Sequence, residues 1–276
     1  MQPLALVASE FALGAYTSLI KLVPTNLETQ TLARMATYTV GAATLGLATG
    51  RLGTPSFEHL LTMGSLNTLH IVSSYYAFKV LPSATALSLF YTYPFFNIIF
   101  SRLLLNEKIN YGIISWLFVS FIGILFVIAP QPDEISLNPL GLIAIAISAI
   151  TESLIYIAFR SKYEPSEFAG MFHLYAGGLI AVLAASLTGW IQPFDFKPAT
   201  WKPLLLFNLF IGFISYAVVF GLITEIPVEI FAAFTFVGIL SGFVFGYITK
   251  ERQPGLSTYI GALMIAFSTY VVRRFY

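Results

Sequence analysis

The stretch from residue 109 to residue 132, INYGIISWLFVSFIGILFVIAPQP, contains no Asp, Glu, Lys or Arg. It is long enough to cross a bilayer, because a membrane-spanning α-helix needs roughly 20 consecutive apolar residues. Pro130 and Pro132 end the run and mark a turn. The stretch therefore predicts one transmembrane helix, and the rest of the chain has the same character.

The composition of the whole chain excludes a soluble fold. Of its 276 residues 57% are hydrophobic and only 10% are charged, whereas a soluble domain carries about 25% charged residues. A soluble protein of this length could not bury so many apolar side chains and still cover its surface. The composition thus excludes a soluble enzyme, a nucleic-acid-binding domain and a disordered protein, and it predicts the lipid bilayer as a partner. Cysteine is absent, so no disulfide or thiolate metal site is expected.

Charged residues and prolines divide the chain into ten apolar lengths, each close to the width of a bilayer. We therefore predict an all-α membrane protein with ten transmembrane helices. Lysine and arginine are distributed almost evenly between the two sides of such a bundle, so the positive-inside rule leaves its orientation open. The predicted spans are 3–23, 27–50, 57–79, 82–105, 111–129, 138–160, 166–190, 201–223, 226–249 and 254–274.

The second half of the chain repeats the first at a shift of about 141 to 145 residues. Glu10 aligns with Glu152, and the stretch 67–75 aligns with 208–216 through the same Asn, Ser and Tyr. Each half contains five predicted spans, an odd number, so the second half must cross the membrane in the opposite sense. Such inverted repeats in transporters surround a site near the membrane midplane. The predicted five-helix repeats are residues 1–132 and 136–276.

Short motifs recur near the ends of the predicted spans. They are KLVP at 21–24 followed by Arg34, LPSATA at 81–86 leading through YP at 93–94 to LLLNE at 103–107, and an echo from Ile226-Pro227 to Lys250-Glu251. With the length, span count and duplication, these motifs resemble the EamA-like family of the drug/metabolite transporter superfamily. The resemblance implies an alternating-access carrier whose central cavity is lined by spans one, three, four, six, eight and nine. It selects no substrate, since members that resemble this pattern carry amino acids, small cations, nucleosides or sugar phosphates.

Two glutamates stand near the middle of predicted spans one and six, at equivalent positions of the repeat. An ionisable side chain at a helix centre costs roughly 2.5–3.5 kcal/mol on insertion scales for Arg, Lys or Asp, so it normally faces an aqueous cavity or a partner. We predict that Glu10 and Glu152 bind a cationic group of the substrate or exchange protons during transport. The alternative is a carboxylate fixed to a neighbouring helix, for example by Arg34.

Polar stripes on spans three, four and eight complete the candidate site. His70 shares one helical face with Asn67 and Ser74, and Asn208 lies on the matching face of span eight. Unpaired amides are unfavourable in hydrocarbon, so these faces point inward, either to line the cavity or to form hydrogen bonds between helices. Tyrosine rings can enclose a cation. The predicted substrate-binding residues are Glu10, Glu152, Asn67, His70, Tyr75, Tyr91, Asn208 and Tyr216.

Other residues at helix depth are predicted to be structural. Arg34 lies two turns into span two and could reach toward Glu10 or extend its charge to the interface. Gly238, Gly242 and Gly246 recur at every fourth position of span nine, which favours close approach of another backbone. The alternative for this glycine row is sliding between helices during gating.

The sequence contains no nucleophile elbow, zinc-protease motif or phosphate-binding loop. Its three histidines lack the spacing of metal ligands on one helix, and the chain has no room for a nucleotide-binding domain. We therefore predict no catalytic residue, no metal and no cofactor. An integral-membrane enzyme would need a polar cluster with a nucleophile and a base near one surface.

The sequence-based expectation is a secondary active or exchange transporter that moves a small polar metabolite by alternating access. Mid-depth charge is acidic, whereas Lys79, Lys250 and Arg252 stand at span ends, which favours a cationic or zwitterionic solute over a phosphate ester. The alternatives are an organic-anion exchanger of the sugar-phosphate or nucleotide-sugar type and a non-transporting membrane scaffold. We expect a monomer or weak dimer in an inner or plasma membrane rather than an organelle membrane, with no nucleic-acid partner.

Overall fold

The computed structural model describes residues 2–81, 83–128, 138–248, 255–272 and 274. Every regular element in these ranges is a helix, in agreement with the predicted all-α class. Some predicted features lie outside the described residues, namely the junction of the two repeats at 129–137 with Pro130 and Pro132, and Pro82, Lys250, Glu251 and Arg252.

The first half of the chain forms seven helices. They are α1 (Gln2–Leu13), α2 (Tyr16–Leu22), α3 (Leu27–Ala48), α4 (Phe57–Val80), α5 (Ser83–Phe90), α6 (Tyr93–Leu104) and α7 (Tyr111–Ile128). The second half contains α8 (Pro139–Arg160), α9 (Glu167–Leu187), α10 (Pro198–Phe207), a π-helical segment (Asn208–Phe213), α11 (Ile214–Leu222), α12 (Val228–Thr235), α13 (Val237–Ile248) and α14 (Leu256–Val272).

Four helical stretches of the described chain are long and apolar enough to cross a membrane. Three further apolar helices are shorter, at 111–126, 228–241 and 256–272. The ten-span count and the opposite orientation of the two halves stay predictions. The four long stretches are Gln2–Leu22, Pro139–Arg160, Glu167–Leu187 and Pro198–Leu222.

Large apolar side chains cover much of the outside of the bundle. Leu4, Leu47, Leu183 and Leu263 are at least two-fifths exposed, while charged and amide side chains such as Arg34 are buried inside. A soluble protein has the opposite distribution. The chain therefore presents apolar side chains to its surroundings and buries several ionisable groups, Arg34 among them, in the interior.

Two helix interruptions fall at corresponding places of the two halves. α5 ends at Phe90 and α6 begins at Tyr93, because Pro94 has no N–H for the carbonyl of Phe90. α12 and α13 are separated at Phe236, which aligns with Tyr91 within the shift that relates the halves. Interrupted helices at matching repeat positions often lie beside a transport site.

Polar residues in the connections start four of the longer helices. The side chain of Asn26 accepts the N–H of Thr29 at the start of α3, and Asn138 accepts that of Gly141 at the start of α8. Ser56 and Ser166 cap α4 and α9 in the same way. Each cap satisfies a backbone donor that the helix itself leaves unpaired.

Glycines allow helices from different parts of the chain to approach closely. α4 packs between α8 and α9, and a Cβ on Gly64 would lie 2.5 Å from Cα of Gly177 on α9. A Cβ on Gly14 would lie 2.1 Å from the carbonyl oxygen of Gly238, so α13 touches the break between α1 and α2. Gly242 and Gly246 continue the predicted row along α13, but their contacts are not among those described.

We predict that Gly177→Ala destabilises the protein. The new Cβ would lie 2.1 Å from the carbonyl oxygen of Leu60. This oxygen belongs to the backbone of α4, so the clash can be relieved only by moving α4 away from α9. Overpacking of this kind costs about 1–3 kcal/mol, so the midpoint of thermal unfolding in detergent should fall. Gly221→Ala is the control, because nothing lies within 4 Å of its Cβ and alanine is the better helix former by about 1 kcal/mol. A midpoint for Gly177→Ala at or above that of Gly221→Ala would contradict the contact.

Candidate functional site

A cavity of about 30 Å³ lies among α1, α2, α3, α4, α8, α11 and the break between α5 and α6. It has room for about two water molecules. Glu10, Glu152 and Arg34 reach its wall, and each is at most 3% exposed. The residues that line it are Glu10, Leu13, Tyr16, Arg34, His70, Ser74, Phe78, Leu87, Phe90, Tyr91, Tyr93, Glu152, Tyr156 and Tyr216.

Glu152 is held by two side chains from other helices. The Tyr216 hydroxyl donates to Oε1 at 3.1 Å, and Nε2 of His70 lies 3.3 Å from Oε2. Nδ1 of His70 faces the carbonyl oxygen of Ser148 at 3.2 Å. Nδ1 also lies 3.4 Å from the Ser148 hydroxyl oxygen, so it either donates to the carbonyl or accepts from the hydroxyl. If Nδ1 accepts, the neutral ring carries its proton on Nε2 and donates to Oε2. If Nδ1 donates, a hydrogen bond between Nε2 and Oε2 needs a further proton on the imidazole or on the carboxyl group.

Glu10 faces the same cavity from α1. The Tyr156 hydroxyl donates to its Oε1 at 3.4 Å, and the backbone carbonyl of Glu10 accepts from the N–H of Gly14 at the end of α1. A Cβ on Gly238 would lie 2.8 Å from that carbonyl oxygen and 1.7 Å from the Tyr91 hydroxyl. Glycine at position 238 therefore lets α13 support both Glu10 and Tyr91.

Arg34 is surrounded by tyrosine rings. Its Cζ lies 4.7 Å from the ring centroid of Tyr16, and Nη2 donates to the Tyr175 hydroxyl at 3.3 Å. Nε has no hydrogen-bond partner among the described residues. The guanidinium neither bonds to Glu10 nor extends to the interface. The other rings are those of Tyr216 at 5.2 Å, Tyr38 at 5.4 Å, Tyr75 at 5.8 Å and Tyr175 at 5.9 Å.

The π-helical segment fixes one side of this tyrosine cage. The Tyr16 hydroxyl donates to Oδ1 of Asn208 at 2.8 Å and lies 2.6 Å from the Tyr38 hydroxyl. A Cβ on Gly212 would lie 2.0 Å from both hydroxyl oxygens. The cage therefore depends on a glycine in an irregular segment, and π-helical segments occur frequently at functional sites.

The structure brings five of the eight predicted substrate-binding residues to the cavity wall, and Tyr75 to the cage. Asn67 instead donates to the carbonyl oxygen of Leu174 at 3.1 Å, and Asn208 bonds to Tyr16 and to the carbonyl oxygen of Leu204. These two amides join helices outside the cavity. The five at the wall are Glu10, Glu152, His70, Tyr91 and Tyr216.

Sequence reasoning missed part of the wall. Predicted span nine supplies no lining residue in the described part of the cavity, whereas span two supplies Arg34. Tyr16, Tyr93 and Tyr156 also line the wall. The chain has 15 tyrosines, so tyrosine itself is a weak signal, but Tyr156 follows Glu152 by one helical turn and could have been selected on that ground.

The sequence profile of the EamA-like transporter family matches residues 2–129 and 139–274. The pseudopaline exporter CntI of Pseudomonas aeruginosa is 23% identical over 230 residues, which cover 83% of this chain and 78% of the exporter. The uncharacterized transporter YoaV of Bacillus subtilis is 24% identical over 203 residues, or 71% and 68% of the two chains. A protein of known crystal structure with 13% identity matches 100% of this chain with a TM-score of 0.81, which shows a shared fold.

We predict that Arg34→Lys destabilises the protein although it keeps the charge. Lysine lacks the planar guanidinium that stacks on aromatic faces, and a desolvated cation–π contact is worth about 2 kcal/mol. The midpoint of thermal unfolding in detergent should fall by an amount equivalent to about 1–2 kcal/mol. Arg51→Lys is the matched control, since Arg51 is 54% exposed and pairs with Glu167, and its loss should be under about 1 kcal/mol. Equal effects of the two changes would argue against the cage.

Proposed function

Because the chain belongs to the EamA-like transporter family, we propose that it moves a small zwitterionic or cationic metabolite across the bilayer by secondary active or exchange transport. Family membership makes it an integral membrane protein of the drug/metabolite transporter superfamily. We propose, beyond family membership, which class of solute the protein transports, how it does so and which residues bind the solute. The observation that carries it is the enclosed cavity that holds two carboxylates and one guanidinium.

The charges of the cavity favour a zwitterion. Arg34 has an unpartnered Nε, and a guanidinium recognises a carboxylate through its fork of donors. Glu10 and Glu152 can accept an ammonium group, and the tyrosine faces beside them attract cations. An amino acid or a related amino-carboxylate would satisfy both kinds of group.

An organic-anion exchanger is the second candidate, because Arg34 does line the cavity. A phosphate ester would bring about two negative charges to a wall that already carries Glu10 and Glu152. Desolvated like charges repel each other strongly. The balance of one guanidinium against two carboxyl groups therefore supports the zwitterion over the phosphate ester.

Ligand-induced stabilisation tests the substrate class. A ligand at 100 times its Kd raises the free energy of unfolding by about 2.7 kcal/mol. We expect amino acids or other amino-carboxylates to raise the unfolding temperature. In Arg34→Gln the carboxylate group of the ligand should no longer add to this rise. A panel of amines, nucleosides and sugar phosphates serves as comparison. Stabilisation by a sugar phosphate alone would favour the second candidate.

Alternating access explains why the cavity, with room for about two water molecules, is too small for an amino acid. Two inverted repeats, proposed here as residues 1–132 and 136–276, would rock about the cavity and open it to one side at a time. The matching interruptions at Tyr91 and Phe236 support hinge points in both halves. An inner or plasma membrane is the proposed location, in keeping with the bacterial relatives.

The contacts of Arg160 support the same mechanism, because they join α8 to the ends of two other helical regions. Its Nε donates to both carboxylate oxygens of Glu107, at 2.8 and 3.0 Å, and its Nη1 donates to the carbonyl oxygens of Ile223 and Ile226. A second cavity of about 10 Å³ lies between Arg160 and Tyr156. We propose that the bond between Arg160 and Glu107 is a gate on the path to the central cavity.

A single thiol can report on this gate, since the chain has no cysteine. Ser101→Cys would place one in the second cavity, where Ser101 is fully buried. We predict slow labelling by a small water-soluble thiol reagent and at least tenfold faster labelling when Arg160→Gln is added. Arg51→Gln, at an ion pair whose arginine is exposed, is the control and should change nothing. Equal labelling rates with and without Arg160→Gln would contradict the gate.

The contact between Nε2 of His70 and Oε2 of Glu152 supports proton coupling, because a proton can pass between these two groups. We expect a pH gradient to drive accumulation of the substrate in proteoliposomes, and Glu152→Gln to abolish that drive while exchange of labelled for unlabelled substrate continues. Glu10→Gln tests the second carboxyl group in the same assay. Glu58→Gln changes an exposed acid at the start of α4 and should leave accumulation intact. Parent-like accumulation by both cavity variants would remove proton coupling from the proposal.

A further inference from the structure

A second buried acid lies away from the cavity, between two histidines. Glu164 is in the connection between α8 and α9, His59 is in the first turn of α4, and His173 is on α9. The carboxylate contacts His173 Nδ1 at 2.8 Å and His59 Nδ1 at 3.3 Å. Candidate ligand atoms of the three residues all lie within 4.8 Å of one another. The spacing of the histidines in the sequence gives no sign of this cluster.

The hydrogen bonds of His173 define its role. Its Nε2 accepts the backbone N–H of Ser56 at 3.1 Å, so the neutral ring must carry its proton on Nδ1. Nδ1 then donates to Oε2 of Glu164. His173 thus has no free lone pair for a metal ion, but it fixes the carboxylate and leaves the other oxygen available.

The available atoms form a pair that points to a ligand. Oε1 of Glu164 and Nδ1 of His59 are both buried, and neither has a hydrogen-bond partner among the described residues. They lie 3.3 Å apart. Two ligands at about 2.0–2.2 Å from one tetrahedral zinc ion are separated by a similar distance. Stacking of the His59 ring on Tyr163, with centroids 4.1 Å apart, holds the plane of the imidazole.

We propose that His59 Nδ1 and Glu164 Oε1 bind a divalent transition-metal ion of the Zn²⁺ type, with His173 as the positioning residue. An imidazole and a carboxylate suit zinc, and water completes the coordination shell. The His59 side chain is 23% exposed, so the ion can enter, while the Glu164 side chain is only 1% exposed. The ligands come from both halves of the chain, so a bound ion would join α4 to the connection before α9.

Zinc titration of the full-length protein in detergent tests the site. In competition with a chromophoric chelator we expect one saturable equivalent of Zn²⁺, with affinity at least tenfold weaker in His59→Ala and in Glu164→Gln. Glu167→Gln removes a nearby acid that pairs with Arg51 instead, and it should bind zinc like the parent. His59 is partly exposed, so His59→Ala decides the matter if Glu164→Gln does not fold. The proposal would be overturned if the parent bound no stoichiometric Zn²⁺, or if His59→Ala bound Zn²⁺ as tightly as the parent.

The positioning role of His173 has its own test. Asparagine can place an amide donor where the imidazole has Nδ1–H, whereas leucine cannot. We expect His173→Asn to keep the zinc affinity within a few-fold of the parent and His173→Leu to lose at least tenfold. The absorption spectrum of bound Co²⁺ should be preserved in the asparagine variant. Equal zinc affinities and equal Co²⁺ spectra in the two variants would show that His173 does not orient Glu164.

Discussion

The structure depends on one constraint, that a charge surrounded by hydrocarbon must be solvated by the protein itself. Glu10, Glu152 and Arg34 are almost fully buried, and each would be costly at helix depth without a partner. The fold meets this cost by turning all three side chains toward one small cavity and enclosing them with tyrosines. Under the proposed function the same three charges bind the polar solute, so stability and transport would depend on the same residues.

Tyrosine suits this environment because it offers a hydroxyl and an aromatic face. Tyr216 donates its hydroxyl to Glu152 and lays its ring beside Arg34, so one residue contacts both charges. Such dense aromatic packing needs small residues behind it. Two tyrosine hydroxyls pack where a Cβ of residue 212 would lie, and the Tyr91 hydroxyl packs where a Cβ of residue 238 would lie, so both positions need glycine. These glycines therefore serve the charged site indirectly, by allowing the aromatic side chains to come close to helix backbones.

Periodic features were predictable from the sequence, and the wall of the cavity was only partly so. Apolar runs and prolines located the helices, and the repeat selected Glu10 and Glu152, because burial and duplication leave local marks in the chain. The role of Arg34 left no such mark, since its cage combines tyrosines from α2, α3, α4, α9 and α11. A helical projection places Asn67 and Asn208 on inward-facing sides of their helices. Only the packed structure shows that their side-chain amides already donate hydrogen bonds to backbone carbonyls.

The repeat also explains why the site is not symmetric. At the shift that aligns Tyr75 with Tyr216, Arg34 corresponds to Tyr175, and His70 corresponds to an isoleucine. Arg34 and Tyr175 meet across the bundle, so the duplicated position now provides a cation from one half and an aromatic donor from the other. Of the two cavity acids, Glu152 has a histidine beside it, and Glu10 has none among the described residues. Two acids at equivalent positions of the repeat therefore sit in different surroundings. In the proposed mechanism one acid would hold the coupled proton while the other faces the solute.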